Sequence, residues 1–250
     1  MKWNLLETGS KSGDFNMDFD TKLIEQALED QVFLRFYRWK PYCISLGFNQ
    51  TIDSINIKKA KEEGIDIVRR PTGGRAILHA EELTYSIIHP IDNSLTPKNL
   101  YHKINLALKK GLEIYHPALQ KIGLEHNQPH FQNFYKEDKS SLCFAISAKS
   151  EINYQGRKLV GSAQRKIGNL VLQHGSILCG NIHLNLVDFL NMSDEEKVKI
   201  KEEIKNTTSD ISSIIDEEVD YERLKDSLKA GFEEHFNFVF GNYQQEILLN

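Results

Sequence analysis

Ile67-Val68-Arg69-Arg70-Pro71-Thr72-Gly73-Gly74-Arg75-Ala76-Ile77-Leu78-His79 reads as strand, turn and strand. Ile67 to Arg70 is extended in pattern, and Pro71-Thr72-Gly73-Gly74 is turn-forming. Ala76 to His79 and Leu83 to Ile88 then read as further strands. Paired glycines after a strand let backbone approach a ligand closely. Consecutive N–H groups in such a turn cradle an anion, with Arg70 and Arg75 as added donors. A tight turn with solvated arginines fits the spacing equally well. The stretch is not a dinucleotide fingerprint, because Gly-x-Gly-x-x-Gly is absent, and no Gly-Lys-Ser/Thr follows to make a Walker loop.

Outward from this turn, Asn16 to Glu29 has helical spacing, with Met17, Leu23, Ile24 and Ala27 near one face. Val32 to Tyr37 and Cys43 to Leu46 read as strands separated by a turn at Lys40-Pro41. Ile57 to Glu63 reads as a short helix closed by Gly64. Downstream, Asn99 to Tyr115 is a helix by its leucine and isoleucine spacing. Glu151 to Gln164 is a hairpin around Gln155-Gly156, and Leu170 to Leu178 is a strand. Two charged helices follow, Asp194 to Lys205 and Tyr221 to Phe236, the first opened by acidic residues that suit a helix N-terminus. Strands pairing as neighbours predict an α+β fold rather than a doubly wound sheet. Residues 1–190 are expected to form one domain and 191–250 a helical extension packed on it.

The chain has 250 residues, a net charge of −4 and 26% charged residues. This is the profile of a globular protein with enough length for a sizeable core. The acidic balance argues against nucleic acid as a partner. No apolar run is long enough to span a bilayer, and the N-terminus lacks the apolar core of a signal peptide, so a cytoplasmic location is expected. Cys43, Cys143 and Cys179 are too few and too scattered for a disulfide framework, and no Cys-x-x-Cys suggests zinc. They read as free thiols.

Three further segments carry candidate chemistry. Lys158-Leu159-Val160-Gly161-Ser162-Ala163-Gln164 places a lysine ahead of small residues, where its ammonium would polarise a carbonyl or lower a thiol pKa. An exposed lysine beside a packed strand is the plainer alternative, since most lysines are surface residues. Gln173-His174-Gly175-Ser176 offers His174 as an acid, a base or a structural hydrogen-bonding residue. Cys143 follows the polar run Lys136 to Ser141, which favours the partial exposure a reactive thiol needs. A buried small residue is the alternative. Cys43 and Cys179 sit in apolar strands and read as buried.

Together these segments resemble the lipoate/biotin protein ligase and lipoyl-transferase superfamily over most of the chain. The likeness begins at Trp3 to Gly9, continues through Asn16-Met17, Leu34 to Trp39 and Ser45 to Gln50, and centres on Arg69 to His79. Glu82 to Ser86, Lys158 to Gln164 and Gln173 to Ser176 complete it. The position after His79, often acidic in relatives, is Ala80 here. The resemblance implies a mixed, largely antiparallel sheet packed by helices. It is strongest to an octanoyltransferase branch in which a Cys-Phe pair, here Cys143-Phe144, precedes Gly-Arg-Lys, here Gly156 to Lys158. By that resemblance Cys143 is the acyl-thioester nucleophile and Lys158 lowers its pKa. Arg70, Thr72, Gly73, Gly74, Arg75, His79, Gly161, Ser162, Ala163, Gln173, His174 and Gly175 bind substrate. The implied donor is an octanoyl-acyl carrier protein, and the acceptor is a lipoyl domain or glycine-cleavage H protein. No metal and no cofactor are implied, because a thioester is already activated. Backbone N–H groups near Gly73-Gly74 or Gly161-Ser162 would stabilise the oxyanion.

The rival within the superfamily is an ATP-dependent lipoate ligase, which shares the fold and the Arg-Arg-x-Thr-Gly-Gly loop but needs no cysteine. About 70 residues follow the last motif, short for the extra C-terminal domain bacterial ligases usually carry. An octanoyl amidotransferase between lipoyl proteins also uses a cysteine. A binding module without turnover would be expected to lack Cys143 or Lys158, and the strand motifs fit a biotin ligase poorly.

Overall fold

The computed structural model describes residues 1–125 and 150–240. Its first strand, β1 (Lys2–Lys11), pairs in parallel with β2 (Gln31–Trp39) across helix α1 (Gly13–Gln26). The helix starts three residues earlier than its apolar spacing suggests. Ser12 caps it, accepting the Phe15 N–H at 3.3 Å, and the Asp66 carboxylate accepts the Gly13 N–H at 3.0 Å.

After Trp39 the chain leaves this sheet for a smaller one. It builds β3 (Cys43–Leu46), α2 (Ile57–Glu62), β4 (Asp66–Arg69) and β5 (Ile77–His79). β3 lies in the middle, parallel to β4 and antiparallel to β5. The Pro71-Thr72-Gly73-Gly74 stretch is the turn that carries the chain from one edge of β3 to the other. Next, β6 (Glu82–Pro90) returns to the large sheet, followed by α3 (Pro97–Tyr115) and the short β7 (Ile122–Leu124), β8 (Ile152–Tyr154) and β9 (Arg157–Lys158), which form a third sheet. The hairpin expected around Gln155-Gly156 is therefore short. Both turn residues have positive φ, 51° and 80°, as a two-residue hairpin turn requires. From Val160 the chain joins the large sheet as β10 (Val160–Ile167) and β11 (Leu170–Leu178).

The large sheet runs β1-β2-β6-β11-β10, antiparallel except for β1 and β2. Helices α4 (Asp194–Thr207), α5 (Ile211–Ile215) and α6 (Tyr221–Phe236) end the described chain. A Ser193–Glu196 capping box opens α4.

Strand alternation sorts the side chains onto two faces. Val32, Leu34 and Phe36 of β2, with Leu83, Tyr85 and Ile87 of β6, pack against Leu100, Ile104, Leu108 and Leu112 of α3 and against Leu224, Leu228 and Phe232 of α6. Helix α6 thus shares the main core. On the opposite face, Leu6, Phe33, Ile88 and Leu172 meet Leu23 and Ile24 of α1.

The centre of that second face is polar. Arg35 is fully buried there, donating to Asp20 Oδ1 at 2.8 Å, to Asn16 Oδ1 at 2.6 Å and to Thr8 Oγ1 at 2.9 Å. Ser86 Oγ donates to the same Asp20 oxygen at 2.9 Å. This pair ties α1 to the sheet, and its remaining hydrogen bonds offset the desolvation that otherwise penalises a buried ion pair.

Candidate active site

The Arg-Arg pair builds the turn between β4 and β5. Arg69 leaves β4 and donates through one guanidinium nitrogen to the carbonyls of Gly47, Phe48 and Gln50, at 2.9, 3.1 and 2.6 Å. Arg70 is 3% exposed, and its N–H groups point at the Ser45 carbonyl and hydroxyl, the Gly73 carbonyl twice and the Arg75 carbonyl. Those five contacts match the five donors of a guanidinium. Arg70 therefore shapes the glycine turn. The two sequence readings of this stretch meet here: it is a tight turn, and Arg70 is not a solvated arginine.

Glycine is required at two places in this loop. Gly74 has φ +104°, and a Cβ on Gly47 would lie 1.9 Å from the Gly74 carbonyl oxygen. The turn is tied to the large sheet as well. Arg165 of β10 donates to the Pro71 carbonyl at 2.7 Å and covers the Phe48 ring at 4.2 Å. Thr72 Oγ1 lies 2.5 Å from His174 Nε2 on β11.

Beneath the turn, His79 stacks on Trp39 with ring centroids 4.1 Å apart. Its Nε2 is 2.7 Å from Ser45 Oγ and its Nδ1 2.7 Å from Glu82 Oε1. Thr84 and Ser176 hydroxyls donate to the same Glu82 oxygen at 2.6 and 2.9 Å. Burial works against the Glu82 charge. The His79 contact and the two hydroxyls outweigh it and hold the carboxyl below its ordinary range. A chain of hydrogen bonds thus runs from the Arg70 cation through Ser45 and His79 to the Glu82 anion.

Arg70, Ser45, His79, Thr84 and Ser176 wall a cleft with about 500 Å³ of empty space, its open mouth included. Met17, Tyr37, Trp39 and Ile77 form apolar lining, and Lys158 and Glu151 lie at the β8–β9 side. Both are buried. Lys158 Nζ sits 3.0 Å from Glu151 Oε2, and Glu151 Oε1 accepts the Ser162 N–H at 3.3 Å. The choice between an exposed lysine and a cleft lysine is settled by this pair. Lys158 is held from behind, because its carbonyl accepts the Ser209 N–H at 2.9 Å.

Of the residues expected to act, Arg70, His79, Lys158, Gly161, Ser162, Ala163, His174 and Gly175 line this one cleft. Thr72 contacts His174, and Gly73, Gly74 and Arg75 lie in the adjoining turn. Gln173 faces the other side of the sheet, donating to the Tyr85 hydroxyl at 2.9 Å and accepting from Gln164. Cys143 lies outside the described residues. The flanks of its segment are defined: Glu125 N–H bonds the Glu151 carbonyl and Ser150 N–H bonds the Glu125 carbonyl, both at 2.8 Å.

Glu151 is not among the residues expected to act, and Trp39 and Ser45 enter the sequence reading only within stretches that carry the family likeness. Glu82, three residues after His79, carried the one local signal, a His–carboxylate spacing on adjoining strands.

Burial, with Arg70 and His79 close by, pushes His174 from its ordinary 6.5 down to about 3. The unfolded chain takes up this proton below about pH 6.5 and the folded chain only near 3. Stability is therefore lost as pH falls from about 6.5 towards 3. Urea unfolding between about pH 7 and pH 5 should show this loss. His174→Gln should flatten it, by a slope that approaches about 1.4 kcal/mol per pH unit at the acid end of that range.

Residues 12–233 match the lipoyl protein ligase A/B catalytic domain. The chain belongs to that family. Its relatives in the family include octanoyltransferase LipM of Staphylococcus aureus, 33% identical over 94% of this chain and 87% of the relative. Octanoyltransferase LipM of Bacillus subtilis is 32% identical, over 97% of this chain and 89% of the relative. Two solved structures share the family fold. Lipoate-protein ligase A bound with ATP superposes with a TM-score of 0.75 at 20% identity, covering 97% of this chain and 89% of that one. The bi-partite lipoate protein ligase of Thermoplasma acidophilum gives 0.76 at 20% identity, covering 97% and 87%. The mixed, antiparallel-rich fold expected from sequence is the lipoyl ligase catalytic-domain fold. Within this family member, the site joins an apolar cleft to a buried ammonium–carboxylate pair. That combination suits transfer of an acyl chain whose carbonyl must be attacked away from bulk water.

Proposed function

We propose that this octanoyltransferase takes octanoyl from an acyl-carrier protein thioester onto Cys143 and passes it to the lipoyl-domain lysine of an acceptor such as glycine-cleavage H protein. The supporting observation is the Lys158 ammonium buried in the apolar cleft, together with octanoyltransferase relatives that align over nearly the whole chain. Cys143 is seven residues before Ser150, and an extended chain of that length reaches roughly 24 Å. The Ser150 backbone is anchored next to Glu151, so this reach includes the Lys158 ammonium.

The ammonium favours the thiolate over the thiol, raising the attacking fraction. The thiolate adds to the thioester carbonyl, the C–S bond to the carrier breaks, and the carrier sulfur takes up the proton that Cys143 gave away, so one thioester replaces another and no ATP is consumed. The acceptor amine then attacks, and the amide product is more stable than the thioester. The apolar lining from Met17, Tyr37, Trp39 and Ile77 suits the acyl chain. Each buried methylene contributes about 0.8 kcal/mol, which favours a medium chain over acetyl. In the cytoplasm the thiol stays reduced.

The test offers an apo lipoyl domain to the enzyme with octanoyl-carrier protein alone, with free octanoate and ATP, or with a second lipoyl protein already octanoylated. Octanoylation from the thioester without ATP is expected. Modification only with free acid and ATP would overturn the reading in favour of a ligase. Modification only from another octanoylated lipoyl protein would identify an amidotransferase.

A further inference from the structure

We propose that Glu151 is the base that takes a proton from the acceptor lysine, so that aminolysis of the thioester depends on its carboxylate more than thioester formation does. The proposal rests on the thioester reading above. An acceptor lysine arrives mostly as an ammonium, since its ordinary pKa is about 10.4. An ammonium has no lone pair with which to attack a carbonyl. The second half of the reaction therefore needs a proton acceptor that the first half does not.

Among the described residues lining the cleft, Glu151 is the one carboxylate. The two histidines of the cleft and the nearby Glu82 are, like Glu151, held by side-chain or backbone partners. His79 has Glu82 on one ring nitrogen and Ser45 on the other. His174 has Nε2 against Thr72 Oγ1. Glu82 does not line the cleft, and its Oε1 meets His79, Thr84 and Ser176. Glu151 is 3% exposed and fixed in place, with Oε1 on the Ser162 N–H and Oε2 3.0 Å from Lys158 Nζ. Any amine that reaches a thioester beside Lys158 meets this carboxylate.

The acceptor ammonium gives one proton to the Glu151 carboxylate. This exchange replaces two charges by two neutral groups. The neutral amine adds to the thioester carbonyl and the C–N bond forms. The oxyanion collapses, the C–S bond breaks and the sulfur leaves with the electron pair. The nitrogen's remaining surplus proton reaches that sulfur through Lys158, which gives one proton and takes one back. Glu151 releases its proton to solvent. The net change is thioester plus ammonium to amide, thiol and one free proton.

The two halves can be measured separately with Glu151→Gln. Thioester formation is read by intact mass with octanoyl-N-acetylcysteamine as donor. Discharge is read with an apo lipoyl domain and, separately, with hydroxylamine, an amine already uncharged at neutral pH. For Glu151→Gln the discharge to lysine is expected to fall about a hundredfold more than either thioester formation or discharge to hydroxylamine. Glu151→Asp, which keeps a carboxylate, should retain more lysine discharge than Glu151→Gln at equal acylation. A parallel fall in all three rates would overturn the proposal and reduce Glu151 to a residue that holds Lys158. Unchanged lysine discharge would also overturn it. Absence of any wild-type thioester would remove the underlying reading instead, and thermal melting identifies a variant that fails to fold.

Discussion

Replacing Cys143 with alanine is expected to lower octanoyl transfer to an acceptor by about a thousandfold or more, the scale seen when a covalent nucleophile is removed. The size follows from the absence of a substitute. Cys43 is fully buried in β3, and burial, with Asp66 and Asp14 nearby, raises its thiol far above the ordinary range. Cys179 is also buried, which pushes it up to about 12. Neither thiol forms appreciable thiolate near neutral pH, and neither lines the cleft. The check is the initial rate of acceptor octanoylation for wild type and Cys143→Ala at equal concentration. Retention of more than a tenth of the wild-type rate would show that the acyl group travels by another route.

Lys158→Ala should damage both activity and stability, for separable reasons. Thioester formation should fall about a hundredfold or more as the thiolate loses its ammonium. Stability should fall by about 3–5 kcal/mol, because Glu151 is left as a buried charge without its counter-ion. The separation comes from a double variant, Lys158→Met with Glu151→Leu. Replacing a buried pair by apolar side chains is often neutral in stability, so most of the unfolding free energy should return while thioester formation stays low. Urea unfolding and single-turnover acylation of the three proteins check this. Recovery of acylation in the double variant would mean that Lys158 acts only through the fold.

The local signals in the sequence were strong where one element made its own case. The strands Cys43–Leu46 and Leu170–Leu178 and the helix Tyr221–Phe236 fall where apolar runs and spacing put them. Strand β1 had no such signal, since its burial comes from pairing with β2 over a helix. At the site, residue identity was legible but purpose was not. Arg70 was expected to offer donors to a ligand. In the structure its N–H groups also face carbonyls of residues 45, 73 and 75, a geometry set by how the turn folds back over β3. Gln173 looked like its neighbour His174, yet strand alternation sends it to the opposite face. Glu151 was invisible because its meaning is relational. Only the β8–β9 hairpin and the edge of β10 bring its carboxylate to Lys158 and to the Ser162 N–H.

The central claim is that octanoyl passes through a thioester on Cys143. Intact mass after mixing the enzyme with octanoyl-carrier protein, without ATP, tests it most directly. Wild type should gain one octanoyl group that hydroxylamine removes, and Cys143→Ala should gain none. An unmodified wild-type enzyme that still octanoylates an acceptor, or an adduct that persists in Cys143→Ala, would contradict the account.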